Sequence, residues 1–266
     1  MNDICIGILT ANREELFKEL LTSIDIIIPK INKLIILENS NIDIKYTNKY
    51  IFNYTNIIYD YIEKNDKVNI AKNKNIILKH FLETNCDYLF LLEDDIAISD
   101  ISIFNDYIEL SKKSGIEHFC YGYGGDCNIE YINNKIRFKY KPLFSKKNDI
   151  IFFKHCVGMF CFYTRNILEK IGLFDENFDI GFDHIDHSFR IMSHYKLQFL
   201  YPDYKYSYLK IKDNDRTLNK SILRKTTDFW NKQKICINKF NNKYNLDYLN
   251  NLELYYNSNF FKNILL

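Results

Sequence analysis

The sequence predicts an α/β fold: an open, mostly parallel sheet with helices on its faces and a helical elaboration towards the C-terminal end. Three observations carry this expectation. Unbroken β-branched runs of strand length alternate with helix-spaced apolar patterns through the first 100 residues. Three of those runs stop abruptly at polar clusters. No Pro/Gly-rich linker and no internal repeat divides the 266 residues, so one domain is expected over 1–266.

Taken in order, Ile4 to Leu9 reads as a parallel strand buried on both faces, followed by the polar Thr10-Ala11-Asn12-Arg13. Glu14 to Ile24 sets Leu16, Phe17, Leu20, Leu21 and Ile24 at helical spacing. Leu34 to Leu37 is a second strand ending in Glu38-Asn39-Ser40, and a third lies near Ile57 to Tyr59. Asn69 to Leu82 repeats Ile70, Asn73, Ile76-Ile77 and His80-Phe81 as a helix. Tyr88 to Leu92 is a further strand, cut off by Glu93-Asp94-Asp95. This order implies right-handed crossovers, and ligands on such sheets bind beyond the carboxyl ends of the strands, where all three polar clusters fall. In the second half, Ile129 to Tyr140 reads as a hairpin turning at Asn133-Asn134, and Val157 to Tyr163 as a strand. Arg165 to Ile171 and Asp183 to Tyr195 read as helices, the first ending at Gly172. The chain is expected to divide into a first half (1–100), a second half (101–217) and C-terminal helices (218–266).

Composition narrows the classes. Apolar residues at 47% and charged residues at 26% are globular values, and 8 Gly with 3 Pro exclude collagen-like chains. With 36 Lys+Arg against 34 Asp+Glu, no nucleic-acid partner is expected. Seven cysteines without a Cys-x-x-Cys pair argue against a zinc site or a disulfide framework, and read as small buried hydrophobes in a reducing, cytoplasmic setting. No stretch reaches the roughly 20 apolar residues of a membrane helix. The Lys- and aromatic-rich segment from 219 onward reads as a rim or lid, with peripheral membrane contact as the alternative.

Two clusters could carry chemistry. Glu93-Asp94-Asp95 would repel one another unless neutralised; strand alternation points Glu93 and Asp95 the same way, offering two hard oxygens to Mg²⁺ or Mn²⁺. The alternative is an acidic cap on the next helix. On a helix, Asp183, Asp186, His187 and Arg190 share one face, with His184 to the side; the alternative is an N-cap with an Asp186–Arg190 pair. Tyr121 to Gly125 reads as a turn, with a sugar-lining loop as the alternative. Phosphate-loop, dinucleotide and nucleophile-elbow motifs are absent.

In this order the segments resemble those of the GT-A glycosyltransferases, particularly family 2. Ile6-Gly7-Ile8-Leu9-Thr10-Ala11-Asn12-Arg13 is similar to that family's first strand and Thr-x-Asn-Arg turn. Leu34 to Ser40 is similar to the strand ending Asp-Asn-Ser, with Glu38 for Asp. Asn65 to Ile76 resembles the Asn-x-Gly-x-Ala-x-Arg-Asn segment; Ala71 and Asn73 match, Lys72 stands for Arg, and the Gly is missing. Glu93-Asp94-Asp95 corresponds to Asp-x-Asp, Gly172-Leu173-Phe174-Asp175-Glu176 to Gly-x-Phe-Asp-Glu, and Asp183 through Arg190 to the Glu-Asp-x-Asp…Arg helix start. Lys239 to Tyr244 resembles the terminal helix.

The resemblance implies a Rossmann-like, nucleotide-sugar-binding fold and an inverting transfer from a nucleotide-sugar, preferably a UDP-sugar, to a glycan, lipid-linked or protein acceptor. It implies that Thr10, Asn12, Arg13 and Glu38 hold the nucleoside, that Lys72 and Asn73 approach the donor with Asp94 on the ribose side, and that Glu93 and Asp95 bind Mn²⁺ or Mg²⁺. Asp183, His184 and Asp186 are then the candidates for the base, with Asp183 preferred because a carboxylate also stabilises positive charge at the sugar ring. His184 aligns with the base of several relatives and suits neutral pH. No His falls in Tyr201 to Asp213, where many members carry a metal ligand. The alternatives are a catalytically silent binder on the same fold and, less favoured for want of a Gly-rich phosphate loop, a sugar nucleotidyltransferase.

Overall fold

The computed structural model describes residues 3–39, 46–47, 50, 57–61, 69–133, 135–145, 147–178, 181–214 and 228–257. Ser40 of the second strand-end cluster, Asn65 to Val68, Asn134 of the hairpin turn, and 215–227 with 258–266 of the C-terminal segment lie outside these.

A six-stranded mixed sheet forms the centre. Its strands are β1 (Ile4–Thr10), β2 (Lys33–Glu38), β3 (Ile57–Tyr61), β4 (Tyr88–Glu93), β6 (His118–Cys120) and β11 (Phe160–Thr164), in the order β3-β2-β1-β4-β11-β6. The first four run parallel, while β11 is antiparallel to both β4 and β6. β5 (Ile96–Ile98) pairs with β13 (Ile211–Asp213), and β7 (Ile129–Ile132) with β8 (Lys135–Phe138). β9 (Leu143–Phe144), β10 (Ile150–Phe153) and β12 (Tyr201–Tyr204) form a three-stranded sheet.

Burial on both faces explains the apolar strands. On β1, Ile4, Ile6 and Ile8 join one core cluster with α1 (Glu14–Ile24) and α3 (Ser102–Ser114). Cys5 and Leu9 join a second cluster beneath α2 (Ile70–Glu83). Each Leu or Phe so buried contributes about 1.5–3 kcal/mol. Gly7 lets α2 approach: a Cβ there would stand 2.4 Å from Ile77 Cγ2, so Gly7→Ala would push the helix off the sheet.

α4 (Arg165–Ile171) is N-capped by the Thr164 hydroxyl and ends at Gly172, whose φ of +81° suits glycine. α5 (Asp183–His194) begins with Asp183 and Asp186 in its first turn. Two C-terminal helices, α6 (Phe229–Tyr244) and α7 (Tyr248–Asn257), bury Cys236, Phe240, Tyr248 and Leu252 against Phe182, Phe189 and Phe199. Among the described residues no helix is long and apolar enough to cross a membrane. One boundary differs from the sequence expectation: residues 156–159 form a loop before β11, with Met159 O accepting from Glu93 N. Gly158 lies against the His184 ring there.

Candidate active site

The polar clusters at the ends of β1 and β4 meet through Arg13. Between β1 and α1 the backbone turns at Asn12, whose φ of +52° lies in the left-handed region that Asn tolerates. That turn presents Arg13 to Asp94, with which it forms a close ion pair, and to Asp95 Oδ2 at 3.3 Å. Thr10 Oγ1 donates to Asp94 Oδ2 at 2.6 Å and meets the Tyr46 hydroxyl at 2.6 Å. Since Thr10 spends its one proton on Asp94, Tyr46 donates to Thr10 and accepts from Arg13 N–H at 3.1 Å. Asp94 is fully buried, and burial pushes its pKa up to about 6 against the pull of Arg13 and Thr10.

Glu38, at the end of β2, is also buried, and its carboxylate accepts from Tyr46 N, Thr47 N and the Thr47 hydroxyl. In this structure it anchors the 46–47 segment. Tyr46 was not singled out by sequence reasoning; an isolated Tyr between polar residues carries no periodic signal.

The two acidic clusters are joined by Lys74. Its side chain is 1% exposed, and its ammonium lies 2.8 Å from Glu93 Oε1 and 3.0 Å from Asp183 Oδ2. Burial alone would raise both carboxylates, but the ammonium outweighs it and holds Glu93 and Asp183 below their ordinary values. The same carboxylates hold Lys74 charged despite its own desolvation. Lys72, by contrast, is exposed on α2, with its backbone N–H donating to the Asn69 cap, and Asn73 is buried. Alternation does not carry through the acidic triplet, because β4 ends at Glu93 and Asp94-Asp95 form a turn. Glu93 therefore meets Lys74 while Asp94 and Asp95 meet Arg13.

On α5 the three candidates differ in surroundings. Asp183 is 1% exposed, with Oδ2 on Lys74 and Oδ1 3.4 Å from His184 Nδ1. His184 has a 17% exposed side chain. Asp186 is fully buried and points to the C-terminal helices: Oδ2 accepts from Arg190 at 3.1 Å, and Oδ1 from Lys243 and Tyr244, each at 2.7 Å. Asp186 thus latches α6 to α5.

Among the described residues no three His, Cys, Asp or Glu side chains gather as a metal-holding group. The charge balance nonetheless suits a cation. Four carboxylates, Glu93, Asp94, Asp95 and Asp183, pair with only two cations, Arg13 and Lys74, which leaves an excess of negative charge.

No protein-family model and no curated protein matches the sequence. The fold does match solved structures. S. aureus TarS 1–349 in complex with UDP-GlcNAc is 12% identical, with a TM-score of 0.53 over 91% of this chain and 67% of that chain. The structure of S. aureus TarS 1–349 with UDP is 14% identical, with a TM-score of 0.50 over 72% and 55%. A longer S. aureus TarS chain is 12% identical, with a TM-score of 0.51 over 72% and 33%. The protein therefore has a GT-A-like glycosyltransferase fold. It spans from a third to two thirds of the TarS chains that it matches.

Proposed function

We propose that the protein is a nucleotide-sugar glycosyltransferase acting with inversion and a divalent metal. The observation that carries this reading is the Lys74 bridge, which couples the strand-end acids of a GT-A-like fold to the Asp183–His184 helix start. The presence of UDP-GlcNAc and UDP in the TarS structures supports a UDP-sugar as donor. Thr10, Asn12 and Arg13 line the nucleoside end, with Glu38 acting through the 46–47 segment that it anchors, and Lys72 and Asn73 lie along α2. The acceptor is a glycan, a lipid-linked sugar or a protein.

Glu93 and Asp95 would hold Mn²⁺ or Mg²⁺ through hard carboxylate oxygens, leaving other coordination positions to donor and water. The metal's part is to neutralise charge on the departing diphosphate. The chain's own residues do the rest. Arg13 keeps Asp94 and Asp95 at the strand end, and Lys74 keeps Asp183 ionised without titrating itself. The base must reach the acceptor hydroxyl. Asp183 is enclosed between Lys74 and His184, and Asp186 is taken up by Arg190, Lys243 and Tyr244. His184 is the exposed member of the group. With Nδ1–H turned to Asp183, its Nε2 is left to accept the proton, as in other Asp–His pairs. The base is therefore His184 rather than Asp183, the residue preferred from the sequence.

The test is UDP release from a panel of UDP-sugars and acceptors, with and without Mn²⁺. His184→Ala should retain donor binding by calorimetry and lose transfer by about 10²-fold or more. Near-normal turnover in that variant would remove His184 from the role. Donor binding without turnover in any pairing would favour the silent binder.

A further inference from the structure

Behind the candidate base lies a group of thiols that the transfer reaction does not use. Cys120, the last residue of β6, and Cys156, in the loop leading to β11, are buried, with their sulfurs 3.4 Å apart. Both are free thiols. Cys156 Sγ donates to Ser188 Oγ on α5 at 3.2 Å and towards His184 O at 3.8 Å. Cys161, opposite Cys120 in the β6–β11 register, donates to Val157 O and Gly158 O at 3.7 and 3.8 Å. The thiols therefore bracket the 156–158 loop on which His184 rests; a Cβ at Gly158 would come within 2.9 Å of His184 Cγ.

The surroundings also place a hydrogen-bond acceptor beside Cys120. His118 Nδ1 lies 2.9 Å from Phe162 O, and a carbonyl only accepts, so Nδ1 carries the proton. The ring is neutral, since burial pushes its pKa down to about 4. Its Nε2 lone pair then faces Ser188 Oγ at 2.7 Å and Cys120 Sγ at 3.3 Å. A buried thiol resists ionisation, and Cys120 is held well above its ordinary value by burial and by its neighbouring thiols. Cys120 therefore reacts as a hydrogen-bonded thiol and loses its proton only in the bond-forming step.

We infer that Cys120 and Cys156 form a reversible disulfide under peroxide, and that the bond displaces the loop seating His184. Cys156 is the more exposed of the two, at 7% against 2%, and reacts first. Peroxide transfers one oxygen to its sulfur, giving a sulfenic acid and one water. Cys120 then attacks that sulfur, the S–O bond breaks, and the thiol proton leaves with the sulfenic hydroxyl as water. Two thiols and one peroxide become one disulfide and two waters. Cys120 is fixed in the sheet by pairing with β11, so closing the gap to bonding distance draws on the 156–158 loop. The effect on transfer rests on the glycosyltransferase reading, whereas the disulfide itself does not.

The test treats the full chain with hydrogen peroxide, maps peptides without reduction, and follows transfer and thermal unfolding in parallel. The expected result is a Cys120–Cys156 linked peptide, transfer lowered at least several-fold, and recovery of both on adding dithiothreitol. Cys120→Ser should yield no such peptide and keep its transfer rate under peroxide. Free thiols at both positions after treatment, a Cys156–Cys161 link instead, or oxidation confined to the exposed Cys127 would overturn the inference. A linked peptide with unchanged transfer would overturn its regulatory half. If no donor supports turnover, the glycosyltransferase reading fails separately, and the linked peptide with its shift in unfolding temperature still decides the thiol chemistry.

Discussion

Replacing Lys74 by Met keeps most of the aliphatic stem and removes the ammonium between Glu93 and Asp183. Contacts of 2.8 and 3.0 Å are each worth about 5–6 kcal/mol in an effective dielectric near 20. Desolvating the three charges takes back several kcal/mol, and removing one partner of such a buried set typically costs about 3–5 kcal/mol. The pH dependence distinguishes this cause from lost packing. In the native protein both carboxylates are held below their unfolded values of about 4. Their stabilisation is therefore complete at neutral pH and is lost as pH falls through the depressed native values. In Lys74→Met, burial acts without its counter-charge and raises both carboxylates above their unfolded values. The variant then loses stability as pH rises from about 4 towards neutrality. Urea unfolding should show a deficit of about 3–5 kcal/mol at pH 7.5 that shrinks markedly at pH 4.5. Adding Asp183→Asn to Lys74→Met should recover at least about 1 kcal/mol at pH 7.5. A deficit below about 1 kcal/mol, or one equal at both pH values, would refute the argument.

Asp95→Asn keeps size but removes a charge from the strand end, so Mn²⁺-dependent UDP binding should weaken at least ~10-fold by calorimetry while metal-free binding changes little. Gly158→Ala drives a methyl against His184, so transfer should fall about 10-fold or more with donor KM unchanged, as kinetic comparison at saturating donor will show. Asp203 is buried on the Tyr107 hydroxyl, Gly122 N and Ser207, and burial pushes its pKa up to about 7. A native value raised above the unfolded ~4 is stabilising at low pH and is lost as pH rises from about 4 to 7. The stability gap between the native protein and Asp203→Asn should therefore narrow by a few kcal/mol across that range in pH-dependent thermal melts.

The parallel half of the sheet was legible because β1, β2 and β4 are covered on both faces, and only near-continuous apolar runs satisfy that environment. Polar residues could begin only where the strands end, so Thr10, Arg13 and Glu93 to Asp95 stand out in the sequence itself. The antiparallel β11 and the three-residue β6 were harder to read. Period-2 burial carries no direction, and Gly158 sits in a loop whose flanking apolar residues look like more strand. Glu38 was visible at its strand end, but its partners lie on the 46–47 segment, where no pattern announces a buried tyrosine.

The least legible position, Lys74, was hidden by a one-residue offset. The sequence suggests Ile70, Asn73, Ile76-Ile77 and His80-Phe81 as the inner stripe of α2. The buried residues are Ala71, Asn73, Lys74, Asn75, Ile77, Leu78 and Phe81, a stripe that runs through 71, 74, 78 and 81. A lysine scores as solvent-facing in any hydropathy pattern, so weighting by apolarity moves the stripe away from it, while Lys72 became the candidate through the resemblance, where it stands for Arg. Residues two apart on a helix differ by about 200° in direction, so burying Lys74 exposes Lys72. A charge can occupy a core position only if it is paired there. Lysine at the (i, i+3, i+7, i+10) spacing of Ala71, Leu78 and Phe81 was therefore the available signal. Its two partners are the acidic clusters themselves, so reading that offset correctly would have joined Glu93 to Asp183 across 90 residues of sequence.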